Sequence, residues 1–202
     1  MKLFSISTFA LPLVLAIFSP VVAVPLTAPA LMTVTSLPTV SATGEKMDIA
    51  AQKGWRVVYF WSADCPCVRD CERLSLVRLA EKYQGKVAFY AVESNAPDLA
   101  GNRQVLMANI AIHHLPYPVL LDPNHNVADA LKAVSTPQTF LISPDNKIVF
   151  QGAPDDSLEF KSRTGRPGIT RAYLAEALSQ SLAGLTVQMP LVKSVGCGIV
   201  RN

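Results

Sequence analysis

Charge is scarce in this chain: of its 202 residues, 18 are Lys or Arg and 15 are Asp or Glu, 16% in all, against roughly 25% in an ordinary soluble domain. The shortage is local. Residues 1–43 carry a single charged side chain, Lys2, and residues 44–202 hold the rest at a near-normal density. No run of basic residues accompanies the net charge of +3, which excludes the basic stripe that nucleic-acid binding requires. An uninterrupted apolar run of about 20 residues, the length of a membrane-spanning helix, is also lacking, because Pro12 and Pro20 break the one long candidate. With half of the chain hydrophobic and no internal repeat, disorder and collagen-like structure are excluded as well.

What stands in the charge-poor segment is ordered like a targeting leader. Lys2 precedes an apolar stretch, Leu3 to Phe18, that closes at Ser19-Pro20-Val21-Val22-Ala23, with small residues placed for cleavage after Ala23. We therefore expect residues 1–23 to be a signal peptide, 24–43 a flexible linker rich in Pro, Thr and Ala, and 44–202 the working domain. The expected location is exported, periplasmic or secreted, with no membrane span in the mature chain and an uncleaved N-terminal anchor as the minor alternative. Export bears on the four cysteines, since disulfides persist outside the cytosol. Three of them, Cys65, Cys67 and Cys71, crowd into seven positions, and Cys197 lies near the C-terminus. A protein-wide disulfide framework would spread them out.

Along the body, Arg56 to Ser62 is a β-branched and aromatic run of strand length. From Pro66, apolar residues recur at near-helical spacing to Tyr83, and Gly85 ends that helix. A strand is expected at Lys86 to Val92, a helix from Asp98, as its cap, to Ile112, a short strand at Pro118 to Leu121 and a brief helix at Val127 to Ala133. Thr139 to Ser143 and Lys147 to Phe150 flank Pro144-Asp145-Asn146 and read as an antiparallel hairpin. Thr170 is expected to cap a last helix that ends at Gly184. Such an alternation predicts an α/β fold with a mixed central sheet, helices on both faces and a C-terminal hairpin plus helix. Asp155 and Asp156 read as a surface turn, and the basic run Lys161, Arg163, Arg166 and Arg171 as a mobile solvated loop.

A strand that ends at Cys65, with a helix starting at once, puts that sulfur at a helix N-terminus, where unpaired N–H groups and the dipole favour the thiolate. Tyr59-Phe60-Trp61-Ser62-Ala63-Asp64-Cys65 resembles the active-site approach of thioredoxins, and Ser135-Thr136-Pro137-Gln138-Thr139-Phe140-Leu141-Ile142 resembles their Thr-Pro loop. Gly152-Ala153-Pro154-Asp155-Asp156 and Gly196-Cys197-Gly198-Ile199 are most similar to exported redoxins of the AhpC/TSA type. That resemblance implies a thioredoxin-like three-layer fold, a cis Pro137 facing the active sulfur, and antioxidant or redox-homeostatic chemistry on protein or small-thiol disulfides with an unidentified redox partner. The chain departs from the thioredoxin Cys-x-x-Cys, having Val68 in the second position and Cys65-Pro66-Cys67 instead. Cys65 is the expected nucleophile. Cys67 is the favoured resolving partner, with Cys71 and Cys197 as alternatives.

Two other readings stand beside it. Cys67-Val68-Arg69-Asp70-Cys71 is similar to the cysteine pair of Sco-type copper chaperones, which would make Cys67, Cys71 and His113 a copper set, with His114 or His125 as substitutes. Peroxiredoxins place a hydroxyl three residues before their reactive cysteine, as Ser62 stands to Cys65, but Val58 occupies the position of their proline. In the redox reading no cofactor is needed.

Overall fold

The computed structural model describes residues 32–41 and 43–201. The expected signal peptide, residues 1–23, lies outside the described residues. In chain order the elements are β1 (Met32–Thr33), β2 (Pro38–Ser41), β3 (Lys46–Asp48), a 3-10 turn (Ile49–Ala51), β4 (Trp55–Trp61), α1 (Pro66–Cys71), a π-helical stretch (Glu72–Leu76), α2 (Val77–Lys82), β5 (Val87–Glu93), α3 (Ala96–Ala100), α4 (Arg103–His113) and β6 (Val119–Leu121). There follow α5 (Asn126–Ala130), β7 (Ser135–Thr136), β8 (Thr139–Ile142), β9 (Lys147–Gly152), α6 (Ser157–Thr164), α7 (Tyr173–Leu182) and β10 (Cys197–Gly198).

One mixed sheet runs β1-β9-β8-β4-β5-β6-β2-β3, and β7 with β10 forms a separate two-stranded ribbon. Strand β4 lies at its centre, parallel to β5 and antiparallel to β8. Its period of two sorts its side chains between two cores. Val57, Tyr59 and Trp61 pack with residues of α1, α2, α4 and α7, while Val58 and Phe60 pack with Ile49, Val127 and Leu131 on the other face. The expected layering is present, with the heavier helical layer on the first face.

Several local expectations are corrected. Residues 32–41, expected to belong to the linker, form β1 and β2: β1 pairs with β9, and β2 sits between β6 and β3. Freedom from charge suits a tether, but it equally suits a segment of two short strands whose Thr39, with Val34 and Leu37 between the strands, is buried. The helix expected from Asp98 breaks into α3 and α4 at Gly101, and the cap of α4 is Asn102, whose Oδ1 accepts from Gln104 N at 2.8 Å. Thr170 does not cap the last helix; its N–H donates to Asp156 Oδ1 at 2.8 Å and the helix starts at Tyr173. Part of the presumed basic loop is helix α6, anchored by Lys161 Nζ on Asp70 Oδ2 at 2.6 Å. Asp155 and Asp156 are buried rather than in a surface turn.

Arg56 is the most demanding buried group. It is fully buried in β4, and its Nη1 donates to Gln52 O at 2.7 Å, Ala50 O at 3.2 Å and Asn146 Oδ1 at 2.8 Å, while Nη2 donates to Ser143 O. One side chain thus ties the 3-10 turn to the β8–β9 hairpin. Replacing it with leucine leaves those carbonyls facing an apolar group, so Arg56→Leu is expected to cost about 2–4 kcal/mol in urea unfolding of the full chain. A loss under about 1 kcal/mol would mean that water already serves those carbonyls.

Candidate active site

β4 delivers the chain to the site. After Trp61 the backbone turns, Cys65 N donates to Ser62 O at 3.2 Å, and Cys65 takes the N-cap position of α1 with extended angles, φ −81° and ψ 111°. Pro66 opens the first turn, where its missing N–H costs nothing. Opposite stands Pro137, preceded by a cis peptide bond. Cys65 Sγ lies 3.5 Å from Thr136 O.

The C-terminal segment completes the arrangement. β10 pairs antiparallel with β7, Cys197 opposite Thr136 and Gly198 opposite Ser135. Ser194 Oγ donates to Pro137 O at 3.0 Å, and Ile199 N donates to Val134 O at 3.0 Å. The approach is so close that a Cβ on Gly196 would sit 2.1 Å from Thr136 O, so only glycine fits there. As a result Cys197 Sγ lies 2.8 Å from Cys65 Sγ. The sulfurs of Cys65, Cys67 and Cys197 all lie within 4.8 Å of one another.

The three thiols are not equivalent. Burial pushes the Cys65 thiol up, but hydrogen bonds from Cys197, the Thr136 side chain and the N–H groups of Val68 and Cys67 outweigh it, and the net shift is downward. Cys67 is pushed up by burial and by the charge of Cys65. Cys197 is pushed up to about 12, by burial first and then by its hydrogen bond and charge repulsion with Cys65. The cluster therefore supports one thiolate, at Cys65, flanked by two thiols.

Other expected site residues fall elsewhere. Cys71 is buried, with its sulfur 3.4 Å from Ser157 Oγ, and burial with the Asp155 charge drives its thiol far up. His113 Nδ1 bonds Glu72 Oε2 at 2.7 Å, with the ring 5.1 Å from that of Trp61. Glu72 Oε1 in turn accepts from Tyr59 OH at 2.9 Å and Trp61 Nε1 at 2.7 Å. The structure does not bring Cys67, Cys71 and His113 together as a ligand set. His114 and His125 both have left-handed backbones at helix ends. Ser62 Oγ donates to Asp98 Oδ2 at 2.7 Å, which commits the hydroxyl that the peroxidase reading uses.

The chain matches the AhpC/TSA family over residues 28–151. It belongs to that family. The thiol-disulfide oxidoreductase ResA of Halalkalibacterium halodurans is 32% identical over 108 residues, 52% of this chain and 58% of the relative, so the match spans less than two thirds of that relative's length. A conserved protein from Geobacillus kaustophilus superposes with a TM-score of 0.74 at 26% identity, covering 86% of this chain and 93% of the other. A thiol-disulfide oxidoreductase from Bacteroides fragilis gives 0.53 at 17% identity over 67% of this chain and 100% of its own, a likeness of fold. The fold of this AhpC/TSA chain is thioredoxin-like, with the mixed sheet and helices expected from sequence.

A cavity of about 160 Å³ in this AhpC/TSA protein is lined by Cys71, Pro137, Asp155, Leu158, Tyr173 and Lys193 among others, and of the four cysteines only Cys71 borders it. A buried acid with no sequence signature of its own bonds the backbone two residues before Cys65. Glu93 closes β5 opposite Trp61, accepting from Asn95 N at 2.8 Å and from Ala63 N at 3.3 Å. Only its place at a strand end beside β4 could have flagged it. Burial first, opposed by the Asn95 N–H and aided by the Asp98 charge, holds its carboxyl up at about 9. The ordinary value is 4.5, so between the two the folded chain keeps a proton that the unfolded chain releases. That contribution to stability is complete below the lower value and is lost as the pH rises towards the upper one. Urea unfolding is expected to show stability falling from pH 5 to pH 9, with a flatter profile for Glu93→Gln. An unchanged slope in the variant would assign the fall to other groups.

Proposed function

We propose that this AhpC/TSA protein is a thiol-disulfide oxidoreductase acting outside the cytosol, with Cys65 as nucleophile and Cys197 as the resolving thiol. The observation that carries this is the 2.8 Å contact between Cys65 Sγ, at the start of α1, and Cys197 Sγ on the tail strand. The identity with ResA supports the reaction class. Substrates are protein or small-thiol disulfides, and the export expected from the leader supplies a compartment where such bonds persist.

The Cys65 thiolate attacks one sulfur of a substrate disulfide, forming a mixed disulfide and expelling the other substrate sulfur as a thiolate. The charge on Cys65 is then gone, and with it the repulsion and hydrogen bond that hold Cys197 up. Cys197, now easier to deprotonate, attacks Cys65 Sγ and expels the remaining substrate thiolate. Substrate disulfide and two protein thiols become two substrate thiols and a Cys65–Cys197 disulfide; run backwards, the same steps oxidise a dithiol. Cys67, favoured from sequence, lies in the same cluster, but a ring closed across one residue is small and strained, whereas Cys197 approaches from a separate strand. The cavity bordered by Pro137 offers space for a substrate side chain next to the loop whose Thr136 O faces Cys65 Sγ.

The test is reduction of glutathione disulfide by the reduced full chain, followed by intact mass. Cys65→Ser is expected to lose about 10²-fold or more in rate. Cys197→Ser should accumulate a one-to-one mixed disulfide, and Cys67→Ser should still close an internal disulfide that includes Cys65 and Cys197. Full activity without Cys65 would refute the nucleophile, and prompt resolution in Cys197→Ser would return the role to Cys67.

A further inference from the structure

The same three sulfurs form a constellation that thiol exchange does not need. Exchange uses two, yet Cys65, Cys67 and Cys197 converge with every sulfur within 4.8 Å of the others. Two of the three are half-buried rather than enclosed, which leaves a route in from solvent. The converging group contains no imidazole and no carboxylate. His113 is taken by Glu72, Asp70 by Lys161 and Cys71 by its contacts with Ser157 and Asp155.

We propose that in the reduced protein Cys65, Cys67 and Cys197 together bind one Cu(I) ion in a three-sulfur site. Thiolates select soft cations. Zinc closes a structural shell with four ligands, and this group supplies three, a number that a monovalent d¹⁰ ion accepts. Three sulfurs each about 2.3 Å from a central ion stand about 4 Å apart, so the 2.8 Å pair must open by about 1.2 Å for the ion to enter. Both carriers of the ligands are fixed before the ion arrives: α1 holds Cys65 and Cys67, and the β7–β10 pairing holds Cys197. This site differs from the Cys67, Cys71 and His113 set expected from sequence, which the fold keeps apart.

Binding does not rest on the exchange reaction, but competition with it does. When Cys65 and Cys197 give two electrons to an incoming disulfide, which leaves as two thiols, their own disulfide removes two of the three ligands. The disulfide form therefore does not hold the ion, and a loaded site is closed to exchange until the ion has left.

The test is anaerobic titration of the reduced full chain with Cu(I) presented by a coloured bidentate chelator, combined with X-ray absorption of the loaded protein. The expected result is one ion per chain, a shell of three sulfurs without nitrogen, and protection of the three cysteines from iodoacetamide. Cys67→Ser and Cys197→Ser should each weaken retention against the chelator by about tenfold or more. Failure to take the ion from the chelator, a nitrogen in the shell of the wild-type protein, or undiminished retention in Cys197→Ser would overturn the site. Disulfide closure in copper-free protein is measured separately, so the loss of one reading leaves the other standing.

Discussion

Cys197 has no helix or sheet core of its own to place it. Its position rests on an antiparallel contact two residues long, Cys197 with Thr136 and Gly198 with Ser135, and a ribbon that short is weak alone. It is held at both ends. Upstream, Ser194 reaches Pro137 O, Ser135 Oγ donates to Ser194, and Val192 N donates to Gln151 O on β9. Downstream, Ala96 N donates to Val200 O, and Arg201 reaches Ala133 O at 2.8 Å. The missing side chain of Gly196 lets the backbone come in close enough for pairing. The meeting of Cys65 with Cys197 follows from this seam, since it joins two sulfurs 132 positions apart in the chain.

Electrostatics then assigns the roles. Three sulfurs within 4.8 Å of one another cannot all be charged, because each thiolate raises the cost of the next. The first charge settles on Cys65, where two backbone N–H groups face it, and Cys67 and Cys197 are held up by burial first and then by that same charge. Consuming the Cys65 thiolate, by substrate or by a cation, relaxes the penalty on the other two. The dithiol exchanger and the soft-cation site proposed above are therefore alternative uses of one arrangement, separated by which electrophile arrives first.

The parts of the fold that sequence made legible are those with a strong local signature. β4 is a β-branched and aromatic run, the helix after Cys65 starts with proline, and the β8–β9 hairpin turns through Pro144-Asp145-Asn146; all three stand close to where they were read. Residues 32–41 were misread because a charge-free, Thr- and Val-rich stretch has the same composition whether it is a tether or an edge pairing. Helix α6 was missed because Leu158 and Phe160 are the only large apolar side chains in it. Asp155 and Asp156 looked like turn residues, but their partners, Ser75 on the π-helical stretch and Thr170 on a distant loop, are not visible from local spacing.

The sequence by itself determined the strand-to-helix junction at Cys65, and with it which thiol could be acidic, because a cap position and its dipole are built from residues a few places apart. It also determined the family, through motifs that sit on contiguous residues. Only the tertiary structure decided which cysteine meets Cys65, that Cys71 and His113 are held elsewhere, and that Glu93 is buried against the backbone at Ala63. Those facts depend on strand order and on the path of the tail, and contacts across such distances leave no periodicity in the chain from which they could be read.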